Sequence, residues 1–150
     1  NRSRSNLSTM RLDIVTAEKL VYSDDVSSVN APGVAGQLGI LPNHAPLLTS
    51  LMPGELRVVK EGEETNIAVS GGFLEVLRNV VTVLVDTAER AEDIDVERAE
   101  AALKRAQDKL DSSESDLDLE KAIQALKRSQ SRVYVSKRKR SSAARSKTRQ

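Results

Sequence analysis

"DIDVERAEAALKRA", residues 93–106, is where the hydrophobic period of the chain changes, and the fold turns on it. Past Ile94, the residues Val96, Ala99, Leu103, Ala106 and Leu110 step by three and four, the spacing of one helix face. "DSSES" at 111–115 breaks the pattern. A second seam follows at Leu119, Ile123, Leu126 and Val133, with Gln130 in the remaining slot. Asp95 and Asp118 stand where N-caps belong, their oxygens placed to accept from the first unpaired helical N–H groups. Two helices of similar length around a short polar break predict an antiparallel hairpin. Its seams are weak, because Ala99 and Ala106 fill two of the five first-helix positions and Gln130 interrupts the second helix. A buried Leu gains roughly 1.5–3 kcal/mol and Ala much less. The hairpin is therefore expected to be marginally held, and movable by a ligand or a partner.

Upstream, from Leu12 to about Thr87, the period is two. Leu12 and Ile14 flank Asp13, Leu56 and Val58 flank Arg57, and Val81, Val83 and Val85 alternate with Thr82, Leu84 and Asp86. Turn residues punctuate the runs: Pro32-Gly33, Pro53-Gly54, "EGEE" at 61–64, Gly71-Gly72 and Arg78-Asn79. Short β-branched runs with frequent turns predict an all-β sandwich or barrel, with a four-strand meander from Leu56 to Val85. Aromatic residues are scarce, so Leu, Ile and Val must build this core.

Composition narrows the chemistry. The 150 residues include no cysteine and one histidine, His44, which removes disulfides, thiolate zinc sites, cysteine nucleophiles and most transition-metal sites. The longest clear apolar run, "VVTVLV" from Val80 to Val85, is far short of the roughly 18 residues of a membrane span. The Ser-rich, basic start "NRSRSNLSTM" lacks the apolar segment of a signal peptide, and Met10 is a candidate start behind it. A soluble chain is expected. The net charge of +1 conceals a segregation: residues 12–132 hold all 22 acids but 13 of the 23 Lys and Arg, a net −9. The last fourteen residues, "KRKRSSAARSKTRQ", carry seven basic residues and no acid. This segment is either a disordered solubilising tail or one that meets an anionic partner.

No nucleophile stands beside a base, "GVAGQLG" does not match a dinucleotide loop, and no phosphate-binding loop ends in Gly-Lys-Ser/Thr. Basic residues interleaved with aromatics on a folded face, as nucleic-acid binders require, are also missing. The chain does not read as an enzyme on its own. Two pairs of arginines remain. Arg98 and Arg105 lie seven apart, about 20° short of two full turns, and Arg128 and Arg132 lie four apart on the other helix. They are either solvated faces or two guanidinium stripes that clamp a polyphosphate.

The motifs "GQLGILPNHAPLLT" (36–49), "SGGFLEV" (70–76), "VTVLVDTAE" (81–89) and "IDVERA" (94–99) occur in the order and spacing of one family. From about Leu12 to Val133 the chain resembles the epsilon subunit of F-type ATP synthases, of the bacterial and chloroplast kind. The resemblance implies an N-terminal β-sandwich followed by a C-terminal antiparallel two-helix hairpin. Together with the composition of the two ends, this divides the chain into an expected disordered extension at 1–10, a sandwich at 11–88, a regulatory hairpin at 89–136 and a basic disordered tail at 137–150. It implies a non-catalytic rotor subunit of the proton-translocating synthase, peripheral on the cytoplasmic face of the bacterial cell membrane. Its partners would be the gamma subunit, the c-subunit ring and, in an extended inhibitory state, the alpha and beta catalytic subunits. Nucleic acid is not among them, and the membrane is met only through the complex. The ring-facing loop would comprise Gly36, Gln37, Leu38, Gly39 and His44, with Gln37 where some relatives carry an acid. No cofactor is required, but ATP is implied as a regulatory ligand held by Glu89, Ile94, Asp95, Arg98, Ala99, Arg105, Arg128 and Arg132. ATP would hold the hairpin folded, and its loss would release the hairpin to inhibit hydrolysis. The basic tail would then meet an acidic surface of the catalytic subunits. A free-standing ATP sensor and a coiled-coil adaptor are the alternative readings.

Overall fold

The computed structural model describes residues 8–112 and 115–148. Ten strands come first: β1 (Met10–Val15), β2 (Leu20–Val26), β3 (Ser28–Gly33), β4 (Gly36–Ile40), β5 (Leu47–Leu51), β6 (Gly54–Lys60), β7 (Glu63–Val69), β8 (Gly72–Leu77), β9 (Val80–Val85) and β10 (Ala88–Arg90). A single 3-10 turn, Ala91–Asp93, leads into α1 (Val96–Asp111) and α2 (Asp116–Thr148). The strands form one sheet in the order β10-β7-β6-β3-β5-β8-β9-β1-β2, folded over into two layers, with β4 paired to β3. Alternate residues face inward, so Leu12, Ile14, Leu56, Val58, Ile67, Leu74, Val81 and Val83 meet in an aliphatic core, with the half-buried Tyr22 packed against its side.

The expected meander is broken in the middle. β6 pairs with β7 and β8 with β9, but β7 turns to β10 and β8 to β5. The chain changes layers at the double glycine. A Cβ on Gly72 would lie 2.0 Å from the Leu84 carbonyl oxygen, so only a bare backbone can begin β8 against the end of β9. The β8–β9 turn places Arg78 and Asn79 at φ 51° and 62°, the twist that a two-residue hairpin needs. Asn79 then joins three segments. Its Oδ1 accepts from the Asn43 N–H at 2.8 Å, its Nδ2 donates to the Thr9 carbonyl at 2.9 Å, and its own carbonyl accepts from the Arg11 N–H at 3.1 Å. Met10, within the expected N-terminal extension, is instead buried at the start of β1; residues 1–7 of that extension lie outside the described residues.

Asp95 caps α1 as expected, its Oδ1 accepting from the Arg98 N–H at 3.2 Å. For α2 the cap is Ser115, not Asp118. Ser115 Oγ accepts from the Asp118 N–H at 3.2 Å, which puts Asp118 inside the first turn, where a carboxylate favours the helix dipole. The second seam also differs: Ala122, Ser129, Val133 and Ser136 are buried, whereas Leu119 and Gln130 are exposed. Small side chains, rather than a leucine row, let α2 lie close to its neighbours. The basic segment from Lys137, expected as a disordered tail, continues α2 to Thr148. It contains neither Gly nor Pro, its Ala, Lys and Arg favour helix, and cations suit a helix C-terminus. A second, smaller core of Ala68, Ala91, Ile94, Ala99, Val133 and Val135 joins the hairpin to the sandwich.

Candidate functional site

Where the hairpin meets the sandwich, a cleft of about 340 Å³ opens. One wall is Ala68, Val69 and Ser70 at the end of β7, with Thr87 and Glu89 around the start of β10. Ser70 stiffens that wall, its Oγ accepting from the Thr87 N–H at 2.8 Å while its N–H donates to the Thr87 carbonyl at 3.0 Å. The helices supply the other wall: Ala102, Arg105, Ala106 and Lys109 from α1, and Ala125, Arg128, Ser129 and Arg132 from α2. Alanine and serine at the helix contact leave room between the two cationic rows. Arg132 Nε and Nη2 both donate to Glu89 Oε2, at 3.2 and 3.1 Å, so the sandwich and α2 are bridged across the cleft.

Three guanidiniums, of Arg105, Arg128 and Arg132, thus stand with one carboxylate, Glu89, around a space within the usual range for small-molecule sites, about 300–1,000 Å³. Such an excess of fixed positive charge suits an anion with several oxygens. The lining holds no histidine or cysteine.

The structure divides the eight residues drawn from the sequence. Glu89, Arg105, Arg128 and Arg132 come together in the cleft. Ile94 and Ala99 are buried in the joining core, and Asp95 is the cap. Arg98 is exposed and does not line the cleft; it lies on the same stripe as Arg105, about 10 Å nearer the helix N-terminus. Lys109 joins the cleft although the sequence reading did not select it. The signal was present, since it follows Arg105 by four residues on one face.

The loop residues Gly36, Gln37 and Gly39 are exposed on β4, with Leu38 half-buried against the core. His44 Nδ1–H donates to the neighbouring Ala45 carbonyl at 2.7 Å, which shapes the loop locally. Next to that loop, the outer face of β5, β8 and β9 carries exposed Leu48, Phe73, Leu77, Val80 and Leu84. Phe73 pairs with Leu84, and Leu77 with Val80, two apolar pairs separated on the same face by Glu75 and Thr82. At the open edge of the sandwich, Lys60 pairs with Asp24 and Arg90 stands 5.6 Å from the Tyr22 ring centroid. The hydrogen bond from Lys60 holds the Asp24 carboxyl below the usual carboxylate range, and the same bond raises Lys60; burial pushes the Tyr22 phenol up. Among the described residues no helix is long and apolar enough to cross a membrane.

Comparison with known proteins agrees with this architecture. Residues 9–91 match the family described as ATP synthase, Delta/Epsilon chain, beta-sandwich domain, and residues 92–137 match its long alpha-helix domain. The chain is 57% identical over 107 residues to the ATP synthase epsilon chain of Desulforamulus reducens, covering 71% of this chain and 81% of the relative. It is 62% identical over 93 residues to that of Roseiflexus sp., covering 62% and 67%. Among solved structures it resembles a chain of the Euglena gracilis mitochondrial ATP synthase, in an OSCP/F1/c-ring assembly, with TM-score 0.70 and 25% identity over 85% of this chain and 81% of that one. A chain of the Tetrahymena thermophila central stalk and c-ring shares the fold, with TM-score 0.61 and 14% identity over 85% and 96%.

Proposed function

The chain belongs to the ATP synthase delta/epsilon family as an epsilon chain, and from that premise we propose that it is a non-catalytic rotor subunit whose docked hairpin senses ATP. The observation that carries the sensing is the cleft, in which Arg105, Arg128 and Arg132 stand with Glu89 at the joint between hairpin and sandwich. A triphosphate seated there neutralises cations on both helices and touches the β7 wall, so it stabilises the docked hairpin over any released form. A ligand at ten times its dissociation constant contributes about 1.4 kcal/mol to the form that binds it. The joining core is small and half alanine, so a term of that size can decide the hairpin's position. Low ATP then frees the hairpin to reach the catalytic subunits and to restrain hydrolysis.

The exposed apolar face of β5, β8 and β9 supports a gamma-subunit contact, since sheet faces of this kind are normally covered. The adjoining loop, from Gly36 to His44, is the region we assign to the ring. The assembled subunit sits peripherally on the cytoplasmic face of the membrane, held through the complex.

Calorimetric titration of the full chain with ATP, ADP and GTP tests the sensing, with Arg128→Ala alongside. Charge-assisted bonds to one guanidinium are worth roughly 1.5–3 kcal/mol, so the substitution is expected to weaken ATP binding about 10- to 150-fold. ATP affinity that is absent, or unchanged in the variant, overturns the reading of the cleft and leaves family membership untouched.

A further inference from the structure

Leu12, Ile14, Leu74, Val76, Val81 and Val83 point into the main core, so the residues between them stand on the outer face of β1, β8 and β9. The strand registers align one row across that face. Leu48 of β5 lies opposite Glu75 of β8, Glu75 opposite Thr82 of β9, Thr82 beside Asp13 of β1, and Asp13 opposite Ser23 of β2. The apolar pairs Phe73–Leu84 and Leu77–Val80 flank this row on its two sides.

The charges on the face are of two kinds. At the β1–β2 end they neutralise one another: Arg11 stands 3.5 Å from Asp13 and 3.8 Å from Asp25, and Ser23 Oγ donates to Asp13. Glu75 is different. It is exposed, and among the described residues no ion pair or hydrogen bond engages its carboxylate. Phe73 and Leu77, two residues away on its own strand, and Leu48 across the ladder surround it with large exposed apolar side chains. We propose that Glu75 is the selecting charge of this face: a partner that covers the apolar pairs must bring one guanidinium or ammonium group onto this carboxylate. The inference rests on reading the face as the gamma-subunit contact, and it adds the chemistry that the partner's surface must carry.

Apolar contact is non-directional and tolerates a partner that slides along the strands. A single fixed charge does not. Covering an ionised carboxylate without a counter-charge is strongly unfavourable, so a wholly apolar partner is rejected. A cation placed on Glu75 relieves that cost and fixes the register of the whole contact. Thr82, directly across the ladder with its Cβ about 4.5–5.5 Å from that of Glu75, offers a hydroxyl oxygen as a second acceptor for the same cation. Arg11 does not serve as the counter-charge from within the chain, because it is engaged by Asp13 and Asp25.

Binding of the full chain to immobilised gamma subunit of the same synthase tests this, with Glu75→Gln, Glu75→Leu and the double variant Phe73→Asp, Leu84→Asp alongside the parent. Glu75→Gln is expected to weaken binding at least about ten-fold and to leave the thermal transition of the free chain where it is. Glu75→Leu is expected to weaken binding as well, although it extends the apolar surface. If Glu75 served only to keep an apolar face soluble, the leucine would bind more tightly. Affinity of the Glu75 variants equal to or above that of the parent, with capture lost in the double variant, overturns the selecting charge and leaves the gamma contact standing. Equal capture of all four chains overturns the gamma contact itself, and the selecting charge falls with it.

Discussion

Ala99 is fully buried where α1 meets the sandwich, among Ala68, Ala91, Ile94, Val133 and Val135. Ala99→Leu adds three carbons at a point with no space for them, and such overpacking costs about 1–3 kcal/mol. The main core shares none of these residues, so the cost falls on docking of the hairpin and not on the sandwich. At a factor of ten per 1.4 kcal/mol, the ratio of docked to released hairpin should fall about 5- to 150-fold. A ligand that binds only the docked form loses apparent affinity in step with the docked fraction. Two measurements are needed on one variant: amide exchange along α1, and thermal unfolding followed on the β signal. The expected result is fast exchange in α1 with an unaltered sandwich transition. Unchanged α1 protection would refute the idea that a small joint holds the hairpin. Joint loss of both would show that the two cores are one cooperative unit.

Gly72→Ala should destabilise the sandwich by about 3 kcal/mol or more, because its Cβ would meet the Leu84 carbonyl oxygen at 2.0 Å; a midpoint lowered by more than roughly 10 °C is expected, and calorimetry checks it. Asp24→Asn should reveal a pH-dependent contribution. The Asp24 carboxyl is held below its unfolded value by Lys60, so its stabilisation is present above the unfolded pKa of about 3.9 and is lost as pH falls through the lower folded value. The gap in urea midpoint between parent and variant should be constant near neutrality and close below about pH 4; a gap that persists in acid contradicts this. Phe73→Asp with Leu84→Asp should leave the isolated fold intact, since both side chains are more than half exposed, but abolish capture of a gamma subunit in a pull-down.

Most of the architecture was legible because two periods dominate the sequence. The alternation around Leu12, Leu56 and Val81 and the three-four steps from Val96 locate the strands and α1, and Asp95 caps where its spacing puts it. What escaped depended on contacts distant in sequence. Strand pairing across Gly71-Gly72 is decided by the close approach of β9, which no local pattern records. On α2 Val133 is buried where its spacing puts it, but the other buried positions, Ala122, Ser129 and Ser136, are small residues that a leucine pattern does not single out. Arg105, Arg128 and Arg132 were legible as candidates, but their convergence with Glu89 depends on how the hairpin sits on β7. Lys109 was overlooked for the same reason, and Arg98 shows that sharing a stripe does not mean sharing a cleft.

The Asn79 corner has a mechanical meaning. Loops are ordinarily the compliant parts of a fold, and force applied to one is absorbed by unwinding it. Here the loop through Asn43 and His44 is braced to the β8–β9 turn, and through it to the start of β1, by hydrogen bonds of 2.8–2.9 Å. Those same strands carry Phe73, Leu77, Val80 and Leu84 on their outer face. A load entering at the loop therefore reaches the apolar surface through a stiff corner and one sheet, with little slack to take up. The hairpin, joined to the sandwich through the separate small core of Ala68, Ala91, Ile94, Ala99, Val133 and Val135, lies outside this corner, so the stiffness of that path does not depend on the helices.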